Sequence, residues 1–292
     1  MITKSTMIQY DQVVQRNYGV YSSKQQKAIK KARIAVVGIG CDGGLVAMML
    51  ARVGVGHLSL IDFDIVEVTN LNRQPLCTVS ALGRKKVDAA REILLDSNPC
   101  IEIAAQDCRI TIESAGVLSG HDVILQCVDN FPGRVAIHRL GHELGIPVVS
   151  MTGQPPFRAW VSTFLPDGPP YEEVMQLPSL DRQMTSDVEH ELNALKVVRA
   201  RNADVSGATE GWCEAFIGGL PGWGGDPVGW GITPERAYIT GVMQAHEALR
   251  LVTGRRVLAS APHAIIIDLS SPPNIVQVRK PANGRTWSYR EY

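Results

Sequence analysis

The chain has 292 residues, 45% of them hydrophobic, enough to bury a sizeable core as one large domain or two small ones. Lys+Arg and Asp+Glu each number 29, so net charge is zero and no bulk positive field exists to hold nucleic acid or an anionic membrane non-specifically. No run approaches the roughly 18 apolar residues that cross a bilayer. MITKSTMIQYDQ at the N-terminus has no apolar leader. The six cysteines form no C-x-x-C pair, so the expectation is a cytoplasmic protein with reduced thiols and no structural zinc.

Ser23 with Gln26 reads as a capping box opening a short helix. Arg33 to Gly38 is a near-continuous apolar run, the mark of a strand buried on both faces. A glycine-rich turn follows, then an apolar helix over 45–53, a strand over 57–62 and a polar loop holding Thr69 to Gln74. Residues 83–95 are periodic as an amphipathic helix stopped by Asn98-Pro99. Strands are predicted over 101–105, 122–128 and 147–151, with a helix over 132–144 that ends at Gly145. Residues 166–233 are rich in Pro, Gly and Trp and read as an irregular insertion carrying one helix near 187–200. Thr233-Pro234 opens a helix that runs to about Val252, and late strands fall over 264–268 and 274–278. The alternation predicts an α/β fold: a doubly wound, Rossmann-like, mostly parallel sheet with a Gly/Pro-rich insertion and a C-terminal helix plus strands. The organisation read is one domain over 1–292, with a nucleotide-binding core over 14–165, the insertion over 166–233 and the C-terminal elements over 234–292.

Gly38-Ile-Gly40-Cys-Asp-Gly43 lies between a predicted strand and a predicted helix. Gly38 permits a tight turn, Gly40 lets a phosphate approach the backbone, and Gly43 lets the helix pack close to the sheet. The helix start offers free N–H groups and a partial positive charge to that phosphate. Asp62 ends the second strand 22 residues after Gly40, placed to accept hydrogen bonds from ribose. These features fit any adenine nucleotide, a nicotinamide cofactor included. Past the second strand come Asn70, Arg73 and Gln74, then Lys86 on the next helix and Asp129 at the end of the following strand. Strand ends of such a sheet converge on one crevice. Two cations and a carboxylate that can hold Mg²⁺ suit chemistry at a triphosphate, which hydride transfer does not require.

Gly38-Ile-Gly-Cys-Asp-Gly43, Asp62-Phe-Asp64, Asn70-Leu-Asn-Arg-Gln74, Gly83-Arg-Lys-Lys86 and Val128-Asp-Asn130 resemble, in order and spacing, the ThiF/MoeB adenylation domain, the superfamily that includes ubiquitin-activating enzymes. The likeness covers 14–151. It implies attack by a carboxylate on the α-phosphate of ATP. On this resemblance Gly38, Gly40, Cys41, Gly43, Asp62 and Asp64 belong to the nucleotide site, with Asp62 on ribose. Asn70, Arg73 and Gln74 line the triphosphate, Lys86 neutralises charge at the α-phosphate, and Asp129 ligates Mg²⁺. Arg16 matches the arginine that the family sends into its partner's ATP site, which implies a homodimer. Two departures stand out: Cys41 replaces the usual glycine and narrows the turn, and the C-x-x-C zinc pairs of many members are absent.

Several other residues have a chemical and a packing reading. Cys213, between Trp212 and Glu214, is the candidate thioester or persulfide nucleophile, and Cys77 a weaker one. His138 and His142 share a helix face as a possible metal pair without an evident third ligand. Trp212, Trp223 and Trp230 fit either a substrate surface or a local core. Asp129 fits a helix cap as well as a metal ligand. The reading that results is a homodimeric ATP- and Mg²⁺-dependent adenylyltransferase. Its carboxylate is the C-terminus of a small ubiquitin-like carrier protein or a peptide, with 166–233 as acceptor surface. The alternatives are a small-molecule or tRNA-borne carboxylate, a nicotinamide-dependent oxidoreductase, and a non-catalytic nucleotide-binding module.

Overall fold

The computed structural model describes residues 8–154, 157–201, 233–269 and 276–287. In chain order the elements are α1 (Tyr10–Val13), α2 (Ser23–Lys31), β1 (Arg33–Val37), α3 (Cys41–Val53), β2 (His57–Ile61), α4 (Lys86–Ser97), β3 (Glu102–Gln106), α5 (Ala115–Leu118), β4 (Val123–Gln126), α6 (Phe131–Glu143), β5 (Val148–Gln154), β6 (Arg158–Phe164), α7 (Tyr171–Val174), α8 (Ser186–Arg201), α9 (Pro234–Val252), β7 (Ala264–Asp268) and β8 (Val276–Arg279). The sheet order is β3-β2-β1-β4-β5-β6-β7-β8. From β3 to β5 all pairs are parallel, and from β5 to β8 all are antiparallel. The strand order reverses between β1 and β4, which opens a crevice at their carboxyl ends.

The apolar run of β1 has a direct cause. Ile34 and Val36 face one core with Val46 and Leu50 of α3 and Ala245 and Ala248 of α9, while Ala35 and Val37 face a second core with Val135, Ile137 and Leu140 of α6. A strand covered on both faces has no solvent side to make polar.

Four local expectations need correction. The capping box is Ser22 with Gln25, one residue early: Gln25 N donates to Ser22 Oγ at 3.3 Å and Ser22 N to Gln25 Oε1 at 3.1 Å. Helix α4 starts at Lys86 rather than Gly83, because Gly83 sits at φ +79 and its N–H donates to Val66 O. Asn130, not Asp129, caps α6, its Oδ1 accepting from Gly133 N at 2.8 Å. Strand β6 was not anticipated. Its buried Ser162 and Thr163 hide the apolar signal, and both are satisfied internally, by His263 O at 2.7 Å and by Glu247 Oε2 at 3.3 Å. Within the insertion, α7 and α8 are ordered elements. Cys213, Trp212, Trp223 and Trp230 lie outside the described residues.

Candidate nucleotide-binding and active site

The glycine turn joins β1 to α3 at the crevice. Gly38 is left-handed, φ +93, and a Cβ there would stand 2.7 Å from Cys127 O. A Cβ on Gly43 would stand 1.8 Å from Gly38 O, so only glycine lets the first turn of α3 close over β1. Gly40 is the N-cap of α3, and the first-turn amides after it have no carbonyl partner within the helix. A Cβ on Gly40 would meet only Gln74 Nε2, at 3.8 Å, so this bare face is a cradle that an anion can enter. Asp62 is buried and braces the turn: Ile39 N donates to its Oδ2 at 2.6 Å and Asp64 N to its Oδ1 at 2.8 Å. Each oxygen keeps acceptor capacity for a hydroxyl.

The loop after β2 is folded against this turn. Glu67 N donates to the buried Asn70 side chain at 3.1 Å. Arg73 Nη1 donates to Thr69 O at 2.7 Å and to Asn72 Oδ1 at 2.8 Å, which holds the guanidinium over its own loop. Cys41 does not project into the turn: its Sγ donates to Arg73 O at 3.0 Å and tethers α3 to the loop. Burial pushes this thiol up to about 12, so it stays protonated. Cys77 is likewise buried, donating to Gln74 Oε1 at 3.2 Å, and burial raises its pKa.

Lys86 is the first residue of α4, where a cation opposes the helix dipole. It is nonetheless buried, and its Nζ lies 2.8 Å from Asp64 Oδ2. Asp64 is thus linked by its backbone to Asp62 and by its side chain to Lys86, which puts the cation in the same crevice as the turn. Asp129 is exposed, just past the end of β4. Among the described residues no group of three or more His, Cys, Asp or Glu is placed to hold a metal. A single carboxylate still fits Mg²⁺, which is commonly held by one or two carboxylates together with substrate phosphates. Arg16 is exposed and is not brought to the turn of its own chain. Its segment packs on the far end of α3, with Tyr10 Oη donating to Gly54 O at 2.7 Å and Asn17 Nδ2 to Val53 O at 2.9 Å. That end is roughly 20 Å along the helix axis from the glycine turn.

The histidine pair has a packing explanation. His138 is buried, lies 3.0 Å from Ser150 Oγ and stacks on Tyr171, and burial lowers its pKa well below the usual value. His142 lines a small cavity with it.

Three residues at the crevice escaped the sequence reading. Asp42 is the second residue of α3, Arg134 lies on α6 and Arg236 on α9, and all are buried. Arg236, Thr240, Gln244 and Glu247 form a buried polar stripe at helical spacing, a pattern that sequence alone assigns to a solvent face. Burial raises the Asp42 pKa to about 6, against the attraction of Arg236 and Arg134. The native state therefore binds this proton more tightly than the unfolded chain, and stability falls as pH rises from about 4 to about 6, then levels. Asp42→Asn is expected to raise stability at pH 7 by of order 2 kcal/mol, a gain that fades as pH nears 4. Urea unfolding at the two pH values checks this, and equal stability at pH 7 would show that the charge is compensated.

The ThiF family profile matches residues 14–285. The molybdopterin-synthase adenylyltransferase of Salmonella typhimurium is 34% identical over 151 residues, 51% of this chain and 59% of that protein. That of Escherichia coli is 36% identical over 126 residues, 43% of this chain and 51% of that protein. Ubiquitin-like modifier-activating enzyme 5 of Caenorhabditis briggsae is 37% identical over 135 residues, 41% of this chain and 30% of that protein. The chain thus matches under two thirds of the length of these relatives. Among solved structures, E. coli MccB with ATP has a TM-score of 0.67 at 18% identity, covering 94% of this chain and 72% of that one, a likeness of fold. With the profile spanning nearly its whole length, the chain belongs to the ThiF family.

Proposed function

We propose that the protein is an ATP-dependent adenylyltransferase acting on a carboxylate, the C-terminus of a small ubiquitin-like carrier or a peptide. The observation that carries this reading is the buried Lys86, held by Asp64 beside the turn that Asp62 braces. A helix N-terminus and a desolvated cation then face the same phosphates, as nucleotidyl transfer requires. A carboxylate oxygen bonds to the α-phosphorus, the bond to the bridging oxygen breaks, and pyrophosphate leaves with that electron pair. No proton or electron moves in the step. The turn and first-turn amides hold the phosphates, Asp62 orients the ribose, and Lys86 and Arg73 neutralise charge that shifts toward the leaving group. Asp129 would hold Mg²⁺, which would supply neutralising charge to the phosphates. Arg16, exposed and distant from its own turn, is read as the residue supplied to a partner's site in a homodimer.

Two relatives are named for a ubiquitin-like modifier and for molybdopterin synthase, and solved structures of E. coli MccB include one with MccA. These support a protein or peptide acyl donor. The test is ATP–pyrophosphate exchange with Mg²⁺ and a panel of diglycine-ended carriers, peptides and small carboxylates. Carboxylate-dependent exchange is expected, with Asp129→Ala reducing it about 100-fold or more. ATP binding without exchange across the whole panel would favour a binding module, and absence of ATP binding would overturn the reading.

A further inference from the structure

A chain of buried polar side chains runs through the apolar core on the α6 side of the sheet. Gln126 of β4 and Ser150 of β5 are register partners and fully buried, and His138 of α6 is buried beside them. They share this side with Ile124, Val135, Ile137 and Val148. Ser150 Oγ lies 2.7 Å from Gln126 Oε1, His138 Nε2 lies 3.0 Å from Ser150 Oγ, and Gln126 Nε2 lies 2.8 Å from Val128 O. Polar groups in such surroundings cost free energy unless each is bonded. Apolar side chains of similar volume would fill the space without that demand, so core packing alone does not call for these three.

The chain runs in one direction only. Val128 O can only accept, so the Gln126 amide turns its NH2 toward it and its carbonyl toward Ser150. The single Ser150 O–H is then spent on Gln126 Oε1, and Ser150 Oγ can only accept from His138. His138, whose pKa burial lowers well below the usual value, is neutral and therefore carries its proton on Nε2. Val128 O takes a second bond from Arg134 Nε at 3.0 Å, and Arg134 Nη1 is itself tied to Thr152 Oγ1 at 2.7 Å. Two donors on one carbonyl fix the peptide plane that joins Val128 to Asp129. On the other flank, Asn130 is fixed by the cap bond from Gly133 N at 2.8 Å. Asp129 thus stands exposed between two clamped neighbours.

We infer that Gln126, Ser150 and His138 are positioning residues for Asp129: a hydrogen-bond chain, directed from His138 Nε2–H to Val128 O, that aims the Asp129 carboxylate. This inference rests on the adenylation reading, in which Asp129 holds Mg²⁺, and adds three residues that act from inside the core. Groups behind a metal ligand set its affinity by restricting the directions the ligand can take. A carboxylate at the end of a strand has no side-chain packing of its own to do this, so the restraint comes through its backbone. Lost restraint is felt as a weaker hold on the cation, and scarcely as a weaker hold on the metal-free nucleotide.

The test compares the wild-type chain with Gln126→Leu, Ser150→Ala and Ser150→Thr, and with Thr163→Val, which deletes a buried hydrogen bond to Glu247 elsewhere in the sheet. Gln126→Leu is the cleanest break, because Val128 O keeps Arg134 and Ser150 keeps His138. Each variant is first checked for cooperative unfolding. Nitrogen NMR of the metal- and nucleotide-free protein should find the His138 proton on Nε2 and none on Nδ1. The Asp129 backbone amide should shift in Gln126→Leu and Ser150→Ala and stay in place in Thr163→Val. In pyrophosphate exchange, the Mg²⁺ concentration for half-maximal rate should rise about tenfold in the first two variants. Most of kcat should return at saturating Mg²⁺, and ATP affinity in EDTA should be unchanged. Ser150→Thr keeps the hydroxyl and should stay near wild type. A merely structural role would lower stability and kcat together, in Thr163→Val as in the others, and leave the Mg²⁺ dependence where it was. A proton on Nδ1, an unmoved Asp129 amide in Gln126→Leu, or an active Gln126→Leu enzyme with wild-type Mg²⁺ dependence overturns the inference and leaves adenylation standing. If the wild type exchanges pyrophosphate with no carboxylate, adenylation falls, and the ring proton and the Asp129 amide alone sustain or overturn the chain.

Discussion

Lys86→Ala is expected to lower the kcat of carboxylate-dependent pyrophosphate exchange by roughly 100- to 1,000-fold while weakening ATP binding only a few-fold. The reasoning starts from where the lysine sits. A cation at the first position of a helix is disfavoured by the dipole, and burying it adds a desolvation penalty. One 2.8 Å contact to Asp64, itself about half exposed, offsets only part of that. On the adenylation reading proposed above, a lysine kept in such a position would act where charge develops in the transition state more than where the ground state binds. Removing it leaves Asp64 near water, so no charge is stranded and the fold should survive. Lys85→Ala is the matched control: Lys85 is half-buried and pairs with Asp107 at 3.1 Å across the surface. Exchange measured at saturating ATP and carboxylate decides the matter. A loss under tenfold for Lys86→Ala, or an equal loss for Lys85→Ala, would place the catalytic charge elsewhere.

The parallel half of the sheet was legible because β1, β2, β4 and β5 are covered on both sides, which writes burial into sequence as largely apolar runs. The glycine turn and its brace were legible for a related reason. Their parts lie on short segments at strand ends, and each segment has a local requirement: no Cβ at Gly38 and Gly43, a carboxylate at Asp62 to accept from Ile39 N. Strand β6 and the Asp42–Arg236 cluster were not legible, and both failures have one cause. Their polar side chains are buried against groups distant in sequence, Ser162 against His263 and Thr163 against Glu247, Asp42 against Arg236. Periodicity treats polar as exposed, and only the folded chain shows that the stripe from Arg236 to Glu247 faces inward. The boundary of α4 failed on the left-handed Gly83, whose turn the helical pattern runs straight through.

Two glycines three residues apart should respond in opposite ways, which separates the architecture of the turn from its use. In Gly43→Ala the new Cβ meets Gly38 O at 1.8 Å, a backbone atom fixed by Gly38 N donating to Ile61 O at 2.8 Å. The first turn of α3 must lift off β1, exposing part of the core that holds Val46 and Leu50. A loss of about 3 kcal/mol or more in unfolding free energy is expected, as for other overpacked core sites. In Gly40→Ala the Cβ meets only Gln74 Nε2 at 3.8 Å, an ordinary contact, so the fold should lose about 1 kcal/mol or less. On the proposed reading the same Cβ occupies the face that a phosphate would approach, so ATP affinity should fall about 30-fold or more even though the protein is folded. Urea unfolding and nucleotide titration on both variants give four numbers. Full ATP binding by a stable Gly40→Ala protein would show that the phosphates do not rest on this turn. An unperturbed melting profile for Gly43→Ala would show that the close approach of α3 to β1 is not what holds the turn in shape.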